Sequence, residues 1–253
     1  INLSTSVSSL VEKIVKEISI LPGLKVADYS SDLDHNRSVI TLLGEEDSLR
    51  KAVLKIVEIA EKEIDISRHQ GEHPRIGAVD VVPFTPWRGV NMEDCKKLAW
   101  KIGEEIAGRF NVPVYFYGEA ALREEHRDLS HIRRGGYELL REEIDKVPER
   151  YPDLGPAKLH PILGAVVIGA REPLVAFNVN LKTQDLEIAK KIARKLRGET
   201  GGLLCVKAIG VNLKSKGMVQ VSMNLLDFRK STIYQAFELV KLEAKRWGVE
   251  VKG

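Results

Sequence analysis

Apolar positions recur at helical spacing from residue 6 to 19, where Val7, Leu10, Val11, Ile14, Val15 and Ile18 share one face. Pro22-Gly23 breaks that run. Leu24 to Tyr29 and Ser38 to Leu43 are apolar enough to be neighbouring strands, joined by the polar loop Ser30 to Arg37. Helical spacing returns over 46–63 through Leu49, Ala52, Val53, Ile56, Ile59 and Ala60. The pattern then predicts a strand near 78–84, a helix over 91–109, a strand over 112–117 and a helix around 130–145. Pro148, Pro152, Pro156 and Pro161 mark an irregular connection, followed by a strand near 163–169.

Arg171-Glu172-Pro173 opens a second run of elements. Leu174 to Leu181 reads as a strand, and Thr183 is placed to cap a helix reaching about Arg197. Strands near 204–212 and 217–224 meet at Leu213-Lys214-Ser215-Lys216. Thr232 and Gln235 have capping-box spacing for a helix to about Arg246, and Val249 to Val251 is a short last strand. The order β-α-β-β-α-β is the split βαβ, or ferredoxin-like, unit. The first half repeats it in part, so the expected class is α+β, with two such subdomains over 1–170 and 171–253.

Composition narrows the field without naming a function. With 39 Lys and Arg against 36 Asp and Glu, the net charge of +3 is too mild for a nucleic-acid footprint, and no run of five like charges occurs. Trp87, Trp100 and Trp247 do not interleave with basic residues, which argues against a single-strand platform. No apolar stretch nears the ~20 residues of a membrane span. The start, Ile1-Asn2-Leu3-Ser4, lacks the features of a signal peptide. Cys95 and Cys205 are far apart and sit among apolar residues, as inert core thiols in a reducing cytoplasm would.

Chemistry concentrates in Ser67-Arg68-His69-Gln70-Gly71-Glu72-His73-Pro74-Arg75-Ile76-Gly77. Gly71 permits φ > 0, and Pro74 disfavours helix at His73, so this is a loop feeding the strand that starts near Ala78. An imidazole on such a loop suits proton transfer near neutral pH, although from spacing alone a histidine that merely bonds a turn is the more common case. His69 and His73 are four apart, but Gly71 and Pro74 spoil the helix that would align them on a metal, and neither cysteine adds a ligand. No metal is expected.

The loop, read as Gly71-Glu72-His73-Pro74-Arg75-Ile76-Gly77-Ala78 with Asp80 and Pro83-Phe84, resembles the signature of glutamate formimidoyltransferases. Further blocks follow in that family's order: His35-Asn36-Arg37-Ser38, the run Val112 to Ala121, Ile132-Arg133-Arg134-Gly135 and Pro152-Asp153-Leu154-Gly155-Pro156. Gly169-Ala170-Arg171, Ala176 to Leu181 and Gln220 to Asp227 complete them, so the resemblance spans nearly the whole chain. Family members usually begin one strand earlier and continue past the equivalent of Lys252, so the first strand is expected to be missing or short.

The resemblance implies N- and C-terminal formiminotransferase subdomains with a folate cleft between them. It implies transfer of a formimidoyl group between N-formimidoyl-L-glutamate and N5 of tetrahydrofolate, as in histidine degradation, with His73 as general acid/base. Tetrahydrofolate would be the co-substrate, the protein a cytoplasmic homodimer, and a separate cyclodeaminase a candidate partner. The segment Gly155, Pro156, Ala157, Lys158, Leu159, His160, Pro161, Ile162, Leu163, Gly164 stands at the family's folate-binding stretch. Lys158 and His160 differ there from the usual smaller or apolar residues, and Ser30 replaces a frequent acid.

Arg37 and Arg75 are candidates for substrate carboxylates, because a guanidinium fork matches a carboxylate; solvent-facing arginines are the plain alternative. Asn36 serves either substrate or an αL loop position. Asn178 and Asn180 alternate with Phe177 and Val179, so both amides face one side of a strand and are candidates to read pterin edges. Two other functions fit the same residues: action on 5-formyltetrahydrofolate, or folate binding without transferase activity.

Overall fold

The computed structural model describes residues 1–71 and 74–252, and the chain divides between Arg171 and Glu172 into two compact units. In the first, β1 (Asn2–Leu3) leads to α1 (Ser8–Ser19), β2 (Leu24–Asp32), β3 (Arg37–Gly44), α2 (Glu46–Glu63) and β4 (Val79–Phe84). Then come α3 (Met92–Phe110), β5 (Val114–Gly118), the short α4 (Leu129–Ile132), α5 (Gly136–Glu143) and β6 (Val166–Ala170). A first strand is therefore present, though only two residues long.

Among the described residues these strands form one six-stranded sheet in the order β2-β3-β1-β4-β6-β5. The β2-β3-β1-β4 part is antiparallel throughout and has the ferredoxin-like order; β6 then pairs in parallel with both β4 and β5. The amphipathic faces of α1, α2 and α3 bury Ile14, Ile18, Ile56, Ile102 and Ile106 against Leu3, Ile40, Val82 and Phe116. A second cluster joins Ile132, Tyr137 and Leu140 of α4 and α5 to Val81, Tyr115, Tyr117 and Val167 of the sheet. β1 and β4 slip register between Asn2 and Leu3, which face Val81 and Val79, so Asp80 stands at a bulge.

The helix expected around 130–145 is two helices. Gly135 and Gly136 both take positive φ, +73° and +67°, and turn the chain between Ile132 and Gly136. Buried Arg150 donates to the carbonyls of His131, Ile132 and Arg134, so the turn after α4 is held by a cation from the proline-rich segment. That segment is ordered by further bonds: Tyr115 Oη to Arg150 O, Phe116 N to Asp153 Oδ2, and Val114 N to Leu154 O.

The second unit comprises β7 (Val175–Leu181), α6 (Leu186–Leu196), β8 (Val206–Leu213), β9 (Met218–Leu225), α7 (Ile233–Arg246) and β10 (Val251–Lys252). Its antiparallel order β10-β7-β9-β8 is the complete split βαβ arrangement. α6 and α7 pack Ile192, Leu196 and Val240 against Val179, Leu181, Val219 and Val221 on one face. The capping box Thr232/Gln235 is formed as the spacing predicts, but Thr183 is not the α6 cap. Asp185 accepts from Glu187 N and starts the helix, while Thr183 Oγ1 accepts from Asp185 N one turn earlier.

Candidate functional site

The loop after α2 leaves the helix at Ile64 and returns to the sheet at β4, and its two ends are stitched to the 160–165 segment. Ile66 N donates to Ile162 O, Ala78 N to Leu163 O, and Ala165 N to Ile76 O. Approach is so close at Gly77 that a Cβ there would collide with the Ala165 carbonyl. The expected catalytic histidine, His73, and Glu72 beside it lie outside the described residues. Everything that frames them is described.

Arg75 is nearly buried, and its guanidinium is taken up inside the protein. Nε donates to His69 Nδ1 at 2.8 Å, and the two terminal nitrogens grip Glu138 of α5 at 2.9 and 2.7 Å. That hydrogen bond from Arg75 holds the Glu138 carboxyl below its ordinary range. Because arginine only donates, His69 Nδ1 must carry a lone pair, so the ring proton sits on Nε2 and goes to Asn36 O at 2.8 Å. Burial moves the His69 pKa down, with the bond to Asn36 opposing. Asn36 has φ +45°; its Oδ1 accepts from Ser6 N and Oγ, and its Nδ2 donates to Gln70 O. Two of the five substrate candidates, Arg75 and Asn36, thus spend their side chains on this loop.

Arg37 opens β3 next to a second polar group. Asp80, delivered by the bulge, accepts from Ile76 N at 2.9 Å and forms a short ion pair with Arg133 from the turn after α4. Burial lowers the Arg37 pKa to about 10, the like charge of Arg133 adds to this, and Asp80 opposes it. Close by, Arg171 is hydrogen-bonded to Tyr117, whose hydroxyl pKa is raised by burial. A cluster of guanidinium groups of this kind suits an anionic ligand group. Asp80, Arg133 and Glu138 carry no role in the sequence reading. The signal for Asp80 was an acid inside Ala78-Val79-Asp80-Val81-Val82, a strand where a charge has no business without a partner.

Within 155–164, Leu159, Leu163 and Gly164 are buried, whereas Ala157 and Lys158 face solvent. His160 is spent locally: Nδ1 accepts from Leu163 N at 3.0 Å, and Nε2 approaches Glu61 at 3.7 Å. Asn178 and Asn180 share the face of β7 opposite α6 and α7; Asn178 is exposed, and Asn180 Oδ1 accepts from Gln220 Nε2 at 2.8 Å. Among the described residues no three His, Cys, Asp or Glu side chains converge as a metal site.

Two family models cover the chain: the formiminotransferase domain, N-terminal subdomain, over residues 1–171, and the formiminotransferase domain over 176–253. The chain belongs to the formiminotransferase family. Glutamate formimidoyltransferase of Streptococcus pyogenes serotype M1 is 41% identical over 245 residues, 97% of this chain and 82% of that protein. The protein of the same name from Thermoplasma acidophilum is 44% identical over 241 residues, 94% of this chain and 79% of its own length. Mouse formimidoyltransferase-cyclodeaminase is 41% identical over 249 residues, which is 96% of this chain but 46% of the mouse protein. The formiminotransferase reading of the loop signature and of the two α+β subdomains therefore holds, and the chain is an enzyme of the transferase class.

Proposed function

We propose that the chain moves a formimidoyl group between N-formimidoyl-L-glutamate and N5 of tetrahydrofolate, with His73 as general acid/base. N5 attacks the amidine-type carbon, and a tetrahedral intermediate forms. The bond from that carbon to the glutamate nitrogen then breaks, while one proton passes from the incoming to the departing nitrogen. An imidazole near its ordinary pKa can take and return that proton. The observation that carries this reading is the frame around residue 73: a pinned loop beside the Arg37, Asp80 and Arg133 group, with the 160–165 backbone against both its ends.

Arg37 is assigned to a substrate carboxylate. The 155–164 segment is assigned to folate, with Lys158 at its glutamate tail, and Asn178 and Asn180 to the pterin edges. Arg75 and Asn36 are assigned to the loop instead. We further propose a cytoplasmic homodimer formed through the first unit. The names of the longer relatives, such as the mouse protein, make a cyclodeaminase a fitting partner for product.

The test is an absorbance assay of the purified chain with tetrahydrofolate and formiminoglutamate, run beside one with 5-formyltetrahydrofolate. Formimidoyl transfer is expected in the first, and turnover in the second alone would replace the proposed donor. Folate binding with turnover in neither would favour the inactive binding protein. His73→Ala is expected to lower turnover by ~10²–10⁴-fold while leaving folate binding intact. Near-normal turnover in the folded variant would remove His73 from the mechanism.

A further inference from the structure

We propose that His69 is a positioning residue: with Asn36 and Glu138 it forms a strut that fixes Arg75 and holds the loop carrying His73. This rests on the formimidoyl-transfer reading and adds to it residues to which that chemistry alone gives no task.

The geometry is closed at every joint. Arg75 has five N–H groups, and its bonds run to His69 Nδ1, to His69 O at 3.0 Å and to both oxygens of Glu138. One side chain thus ties the start of the loop, its end and helix α5 together. His69 passes the constraint on through Nε2–H to Asn36 O, and Asn36 anchors to Ser6 and back to Gln70. The span from His69 to Arg75 is held at both ends by side chains that meet each other. A fork occupied by Glu138 is not open to a substrate carboxylate, so the role left to Arg75 is mechanical. A proton-transfer group needs such support, since a displacement of about 1 Å can lower a rate by roughly 100-fold.

The acceptor at Nδ1 is the decisive atom, and two substitutions separate it from bulk. Asn at this position can present an oxygen near the Nδ1 site, so His69→Asn should keep the Arg75 bond. His69→Gln reaches toward the Nε2 site and lacks that acceptor. For the full chain we expect His69→Gln and His69→Ala to lower kcat by roughly 10- to 100-fold, with KM for both substrates little changed. His69→Asn should recover most of kcat. Independently of activity, trypsin should cut His69→Gln faster than wild type after Arg68 and Arg75, read by mass spectrometry, and cut His69→Asn no faster. Equal kcat in all variants, equal losses in the Asn and Gln variants, or unchanged cleavage would each overturn the strut. A wild-type chain that transfers no formimidoyl group would instead overturn the reaction assignment, and the cleavage rates would still decide the strut.

Discussion

Arg75 and Glu138 are 63 positions apart, and their pairing decides what Arg75 is for. The loop motif announced an arginine suited to carboxylates, and it does hold one, but the carboxylate belongs to α5. Local sequence cannot supply that partner, because only the fold brings the turn of Gly135-Gly136 beside the loop. Asp80 and Arg133 were hidden for the same reason, 53 positions apart and joined through a bulge. The His69 imidazole gives this scale a pH dependence. Its folded pKa lies below the ordinary 6.5, so the unfolded chain binds the proton more readily. The stability it contributes is complete above about pH 6.5 and drains away as the pH falls through the folded value. Glu138, also held low, acts in the same direction below its ordinary 4.5, and Asp80 and Arg75 complete the charges facing the ring. Thermal melts from about pH 7.5 to 5.5 should show wild type losing more stability than His69→Asn. Parallel losses would mean that His69 is not the group responsible.

At the scale of single elements, periodicity served well and stopping signals less so. The helices α1, α2, α3 and α7 follow their apolar spacing closely, and the second unit's hairpin turns at Lys214-Ser215-Lys216 as the pattern predicts, closed by Gly217 at positive φ. The failure at 130–145 came from two adjacent glycines inside a helical pattern, whose effect depended on Arg150 rewarding the turn with three hydrogen bonds. At α6 the expected cap, Thr183, gave way to Asp185, whose carboxylate accepts from Glu187 N while Thr183 Oγ1 accepts from Asp185 N. The strongest terminus is that of α3. There Asn91 Oδ1 accepts from Asp94 N, Asp94 Oδ2 accepts from Asn91 N, and Glu93 and Asp94 sit in the first turn. Asn91→Ala should therefore cost about 1 kcal/mol of stability, seen as a lower denaturant midpoint at constant slope, with kcat unchanged. No loss of midpoint would mean that the box is redundant in the folded protein.

For the whole molecule, the β-α-β-β-α-β order of the second unit, and all of it but the first strand in the first unit, were legible because they are written in alternating strand and helix periods along contiguous stretches. The extension of the first sheet was not. Strands near 112–117 and 163–169 were visible, but not that the second would slot between β4 and β5 in parallel, since order in a sheet depends on long-range pairing. Each unit has its own core, so residues 1–171 and 172–253 should each fold alone. By light scattering we expect the first fragment to be a dimer and the second a monomer. A monomeric first fragment or a dimeric second would put the proposed two-fold contact on the wrong unit.

The late arrival of β6 also bears on how the protein is made. A ribosome that has released residues 1–160 has delivered β4 and β5 but not the strand that lies between them. Until Val166 to Ala170 emerges, β4 and β5 each wait with an unpaired backbone edge, the state in which nascent chains are most prone to associate with one another. The second unit has a far shorter delay, because β9, the strand between β7 and β8, follows β8 directly through a tight connection. Translation pauses just before residue 166 would therefore harm yield far more than pauses anywhere in the second unit.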